Sequence, residues 1–157
     1  MPKLLILSGL MFNPKKEKFF KSLQNYTLLS RDCVRHHIYG DCCIITNDME
    51  EKTTQDFNFR LKKAYLLNLD IVIGDTNCTE AYIDKLIAEC PVEYDVEVKF
   101  FDYPLWKAII KNFINHRRTG VFIPIYILYA LKRGYDAINK EKYRHYSDKL
   151  AISQQKW

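Results

Sequence analysis

Lys3-Leu-Leu-Ile-Leu-Ser-Gly9 is a continuous apolar run that closes on glycine, and Leu10-Met-Phe-Asn-Pro14-Lys15-Lys16-Glu17 follows it directly. An uninterrupted apolar run suits a strand buried on both faces, as in a parallel sheet. The basic, amphipathic stretch Pro14 to Gln24 reads as a helix, with proline in its first turn and Phe19, Phe20 and Leu23 on its apolar face. Strand and helix alternate from there. Asn25 to Ser30 reads as a second strand, Asp32 as the N-cap of a short helix ending at Tyr39, and Leu69 to Gly74 as another buried strand closed by glycine. Phe57, Leu61, Ala64 and Tyr65 give helical spacing from Thr54 onward, whereas within 41–53 the polar run Asn47 to Lys52 reads as an exposed loop. Thr79 or Asn77 can cap a helix stopped by Pro91, and Val96 to Phe101 reads as a strand. Helices follow from Pro104 to about Asn115 and from Pro124 to about Tyr146. This order predicts an α/β protein, a three-layer sandwich with a mainly parallel sheet. Residues 1–152 form its single domain and 153–157 a frayed tail.

Composition agrees with that reading. The 157 residues carry 24 Lys+Arg against 19 Asp+Glu, a formal charge of +5, with 48% apolar and 27% charged side chains. Those proportions exclude wholesale disorder, and 5 Gly with 5 Pro exclude collagen-like and low-complexity classes. The five cysteines form no C-x-x-C pair, and Cys42-Cys43 beside His36-His37 is poorly spaced for zinc, so no metal site is expected. Reduced thiols and an N-terminal apolar run too short for a membrane span point to a cytoplasmic protein with no membrane partner. The positive balance favours an anionic partner, nucleic acid or nucleotide.

In open α/β sheets ligands bind beyond the carboxyl ends of the strands. After the first strand a phosphate-binding loop would read G-x-x-x-x-G-K-[ST]. Gly9 and Lys15 stand at the required separation, but Pro14 replaces the second glycine and Lys16 the hydroxyl residue. Such a loop aims backbone N–H groups at phosphates, and proline has none; Phe12 and Pro14 also resist positive φ. Lys16 cannot supply the hydroxyl that ligates Mg²⁺. The segment therefore reads either as a plain strand-to-helix turn or as a basic helix start whose Lys15, Lys16 and Lys18 attract a phosphate. After the second strand, Asp32 can accept a proton and Arg35, one helical turn on, can grip a phosphate; the alternative is a cap with a solvated arginine. After the third, Asp75-Thr76-Asn77 suits substrate hydroxyls or a metal's water, or forms a turn. Arg117-Arg118, read on a loop between the last two helices, suits a lid over a triphosphate or is simply an exposed basic loop.

Taken together these segments resemble the kinase domain of the phage-type 5′-polynucleotide kinases, P-loop phosphotransferases that move the γ-phosphate of ATP to a 5′-hydroxyl end. The likeness runs in order over about residues 3–146. Arg31-Asp32-x-x-Arg35 matches the family's R-D-x-x-R, which implies Asp32 as general base and Arg35 as acceptor-phosphate ligand. Asp75-Thr76-Asn77 matches its D-T-N and implies an acceptor-binding role. Val98 to Pro104 resembles its V-x-x-F-D-x-P, and Arg118, with Arg117 second, falls where its lid arginine would lie. The implied fold is P-loop kinase-like. Lys15 and Arg118 would join Asp32 in catalysis, and Gly9, Lys15, Lys16, Arg117 and Arg118 would form the nucleotide side. The loop departs from the family's G-x-x-G-x-G-K-[ST], a degenerate Walker A motif. No phosphatase half is expected, and a phage source would imply the host cytoplasm.

Three functions follow. The first is a degenerate polynucleotide-kinase-like protein that binds nucleic-acid 5′ ends, single strands or nucleotides with little or no phosphoryl transfer. The second is an active ATP-dependent 5′-hydroxyl kinase, for which alone Mg²⁺ and ATP are needed. The third is a protein-interaction module on a kinase scaffold.

Overall fold

The computed structural model describes residues 1–40 and 45–144. The apolar run at the start becomes β1 (Lys3–Gly9), the interior strand from which the rest is organised. It is followed by α1 (Pro14–Ser22), β2 (Thr27–Leu29), α2 (Arg31–Tyr39), α3 (Asn47–Leu66), β3 (Ile71–Ile73), α4 (Glu80–Glu89), β4 (Asp95–Phe101), α5 (Leu105–Thr119), α6 (Ile125–Asp136) and a 3₁₀ turn, Lys140–Tyr143. The four strands form one all-parallel sheet in the order β2-β3-β1-β4, with Leu5 beside Val72 on one flank and Glu97 on the other.

Alternation along β1 divides the core between the two faces of the sheet. Leu5 and Leu7 join Val72 beneath Phe19 and Phe20 of α1 and Leu23 at its C-cap. Leu4 and Ile6 join Ile71 and Ile73 beneath Phe57, Leu61 and Ala64 of α3 and Ile83 and Leu86 of α4. Helix, sheet and helix make the three layers. Two glycines set how closely they approach. A Cβ at Gly9 would lie 2.7 Å from the Phe101 carbonyl oxygen of β4, and one at Gly74 would lie 2.6 Å from the Phe20 ring of α1.

Several boundaries differ from those the sequence suggests. Asn47 to Lys52 is the first part of α3, because the Thr46 side chain caps it by accepting from the Met49 N–H, and Asp48 and Glu50 sit in the first turn where the helix dipole favours acids. The cap of α2 is Ser30, whose hydroxyl accepts from Cys33 N–H at 3.0 Å, so Asp32 is released from capping. The Pro124 helix ends at Asp136; beyond it the Glu80 carboxylate takes the N–H of Asn139, offering that amide a partner outside the helix. Helix α5 runs through Asn115 to Thr119, closed by Gly120 at φ 78°, so Arg117 and Arg118 occupy a helical turn rather than a loop. Cys42, Cys43 and the tail 153–157 lie outside the described residues. Among the described residues, no helix is long and apolar enough to cross a membrane.

Candidate functional site

At the carboxyl ends of β1, β2 and β3 lies a cavity of about 470 Å³, walled by the β1–α1 loop, the start of α2, the start of α3 and the Gly74-Asp75-Thr76 turn. Its two sides differ in chemistry.

The α1 side is closed at the backbone. Asn13 is buried and caps the helix: its Oδ1 accepts from Lys15 N–H at 3.1 Å, and its carbonyl accepts from Glu17 N–H. Pro14 has no N–H to offer. Phe12 takes φ 64°, a left-handed conformation, and its carbonyl accepts from Lys111 Nζ at 3.1 Å. The two lysines face opposite ways. Lys15 is exposed and does not line the cavity, because the helical turn points it away from the sheet. Lys16 faces inward with only 6% of its surface exposed; its Nζ donates to the carbonyls of Gly9 at 3.2 Å and Asp75 at 2.6 Å. Burial lowers its pKa to about 8 from 10.5, and nearby Cys78, Asp75, Asp32 and Glu17 only partly offset that loss.

The α2 side is built from carboxylates and guanidinium groups. Arg35 donates from Nη1 to Asp32 Oδ1 and from Nε to Glu50 Oε1 at 2.6 Å. Burial pulls its pKa down, but the hydrogen bonds from Glu50 and Asp32 outweigh this and raise it. Asp32 projects outward, its side chain 88% exposed, so the carboxylate is open to an incoming hydroxyl. Asp75 is held from below: its Oδ1 accepts the Arg31 N–H at 2.7 Å, and its Oδ2 lies 4.0 Å from the Arg31 guanidinium. That guanidinium is itself fixed by a hydrogen bond to Tyr82 and by the Tyr82 and Phe57 rings. Burial raises the Asp75 pKa despite the Arg31 amide and charge.

The cavity thus brings together Lys16, Asp32, Arg35, Asp75 and Thr76 of the expected residues. Asn77 is not among its lining. Its side-chain amide is spent on the fold, donating to Leu7 O at 2.6 Å and to Asp75 O at 3.2 Å, with its own backbone at φ 44°. Arg117 and Arg118 are exposed on α5 and outside the lining; Asn115, Val121 and Ile123 reach the cavity from that region instead. Glu50, Asn13 and Lys111 are participants that motif reading passes over. The Asn13-Pro14 pair is a legible cap signal, but Glu50 becomes visible only once the start of α3 is placed.

Mg²⁺ takes oxygen ligands in near-octahedral array. At the position where a P-loop hydroxyl would ligate it stands an ammonium, already bonded to the two carbonyl oxygens nearest to hand. The neighbouring Ser8 hydroxyl donates to Asn77 O, and Asp75 Oδ1 is engaged by Arg31. Asp75 Oδ2 is the buried oxygen there left without a hydrogen-bond partner, and one such oxygen beside an ammonium does not make a divalent-ion site. Among the described residues no group of three or more His, Cys, Asp or Glu could hold a metal.

No protein family's sequence profile matches the chain, and no curated protein matches it in sequence. Solved structures do resemble it. A chain of the Pnkp1/Rnl/Hen1 RNA repair complex superposes with TM-score 0.70 at 24% identity over 90% of this chain and 46% of that one. A chain of a second Pnkp1/Rnl/Hen1 complex gives 0.55 at 22% identity, over 70% of this chain and 38% of that one. A gluconokinase from Sinorhizobium meliloti 1021 gives 0.49 at 17% identity, over 85% and 74%. The fold is P-loop kinase-like, and the chain spans less than half the length of the Pnkp1/Rnl/Hen1 chains it resembles.

Proposed function

We propose that the chain is a polynucleotide-kinase-like binding protein that takes a nucleic-acid 5′ end or a nucleotide into this cavity and transfers phosphate poorly or not at all. One observation carries the reading: the helix start that would cradle a triphosphate is occupied by its own chain, through the Asn13 cap and Pro14, while Asp32 and Arg35 on the opposite wall keep the groups an acceptor end needs. Phosphoryl transfer depends on positioning and charge stabilisation, and each 1.36 kcal/mol lost from that stabilisation slows it about tenfold. The RNA repair complex, part of one chain of which shares the fold, makes an RNA 5′ end the first ligand to try. The test is transfer of label from γ-labelled ATP to a 5′-hydroxyl oligonucleotide in Mg²⁺, beside Asp32→Ala. No Asp32-dependent transfer, with measurable oligonucleotide binding, is the expected result.

Active kinase chemistry is the second reading. It is favoured by the exposure of Asp32, a carboxylate that binding alone does not require. Asp32-dependent transfer would establish it. A protein-interaction module is favoured by the exposed Trp106, Ile110 and Phe113 of α5 beside Tyr126 and Tyr129 of α6.

A further inference from the structure

Among the described residues, Lys16 is the lining cation with no carboxylate within ion-pair distance. Arg35 is paired with Asp32 and Glu50, and Arg31 faces Asp75. Lys16 instead sits among backbone carbonyls, 6% exposed, with no carboxylate in ion-pair range. An ammonium carries three protons. Two are taken by Gly9 O and Asp75 O, which leaves one for a group in the cavity that Lys16 lines.

That arrangement resembles a bound metal ion in function. A compact cation, partly stripped of water, is held by chain oxygens at a fixed point beside the loop and keeps a position for an external ligand. We propose that the Lys16 ammonium is a tethered replacement for the divalent cation, so that the cavity takes a phosphoryl anion without metal. The inference rests on the phosphate-binding reading above and adds what neutralises the phosphate. The anion comes from a nucleotide or from a nucleic-acid 5′-phosphate; the recognising chemistry is the same.

The energetics agree in direction. Holding an ammonium in a buried, carbonyl-lined position is unfavourable unless a negative charge arrives. The titratable groups facing Lys16 are Glu17 on its own helix, Asp32 at the start of α2, and Asp75 and Cys78 after β3, and together they do not restore its ordinary basicity. A phosphate oxygen on the third proton completes the set. A charge-assisted bond from a preorganised, desolvated donor is among the stronger ones available to a site.

The probes are fluorescent ADP and a short 5′-phosphorylated single-stranded oligonucleotide, with its 5′-hydroxyl counterpart as control. Each is titrated into wild type and Lys16→Met, in EDTA and in millimolar Mg²⁺. Wild type is expected to bind at least one phosphorylated probe with affinities in EDTA and Mg²⁺ that agree within about twofold, and Lys16→Met to lose about tenfold or more in both. Which probe binds identifies the source of the phosphate. Wild-type binding that disappears in EDTA would overturn the replacement while leaving the phosphate-binding reading intact. Unchanged affinity in a folded Lys16→Met overturns it too. Failure of every probe under every condition overturns both. Should Lys16→Met not fold, the wild-type comparison with and without metal decides alone.

Discussion

Arg35 joins the first turn of α2 to the first turn of α3: its Nε donates to Glu50 Oε1 at 2.6 Å while its Nη1 holds Asp32. A phosphate approaching Arg35 must therefore compete with two carboxylates of the protein. Glu50→Gln should relieve that competition and tighten binding of a 5′-phosphorylated oligonucleotide about fivefold, with a steeper salt dependence. Arg35→Ala should weaken it and flatten the salt slope. Fluorescence anisotropy across a salt series reads both, and Glu50→Gln binding no tighter than wild type would mean that Arg35 is not a ligand contact.

Ser30, not Asp32, caps α2. Ser30→Ala should cost about 1 kcal/mol of stability, whereas Asp32→Asn, which loses only an exposed ion pair, should cost at most about half of that. Urea melts of the two variants separate the capping role from the chemical one.

The lowered pKa of Lys16 has a signed consequence. Between about 8 and 10.5 the unfolded chain keeps the Lys16 proton and the folded chain has lost it, so the unfolded state binds more protons and this group's contribution to stability rises with pH. Below about pH 8 both states are protonated and the full penalty for burying the charge, on the order of 3 kcal/mol, is present. Buried Cys78 and half-buried Cys90, raised to about 11 by burial, pull the other way. Cys90 does so in wild type and Lys16→Met alike, while Cys78, which the Lys16 charge draws down, would sit higher in Lys16→Met, a change of the same sign as the loss of Lys16 itself. The difference in unfolding free energy between the two proteins should therefore shift steadily in favour of wild type as pH rises from about 8 to about 10. A difference that stays flat would place Lys16 in water.

Asn77 stitches the ends of β1 and β3 together from a left-handed backbone position. Asn77→Ala loses a buried hydrogen bond to Leu7 O and puts a Cβ-bearing residue without a compensating amide at φ 44°. A loss of about 2–4 kcal/mol is expected. Differential scanning calorimetry should register it with or without ligand, as befits a residue of the scaffold.

The frame of this fold is legible because it is written locally. The apolar run of β1 and the Ile71-Val72-Ile73 stretch of β3 are wholly buried, and that is what continuous hydrophobicity means in a parallel sheet. Which lysine faces inward was legible too, by a different rule. Lys16 shares the helical face of Phe19, Phe20 and Leu23, and Lys15 does not; a spacing template anchored on Gly9 selects Lys15, while helical phase selects Lys16. Glu50 and Asn77 are harder. The first needed the Thr46 cap to be recognised against a polar run, and the second finds its partner seventy residues earlier, at Leu7, which no local pattern encodes.

Gly74 touches no candidate ligand group through a side chain of its own, yet it governs the height of α1 above the sheet. Any Cβ there would meet the Phe20 ring at 2.6 Å, so that ring, packed on Leu5, Leu7 and Val72 and bordering the cavity, or the helix that carries it must shift. Phe20 is one turn from Lys16, so lifting the helix would draw the ammonium out of its carbonyl seat. In an alignment of relatives the two positions should covary: where a side chain larger than hydrogen occupies 74, lysine should vanish from 16.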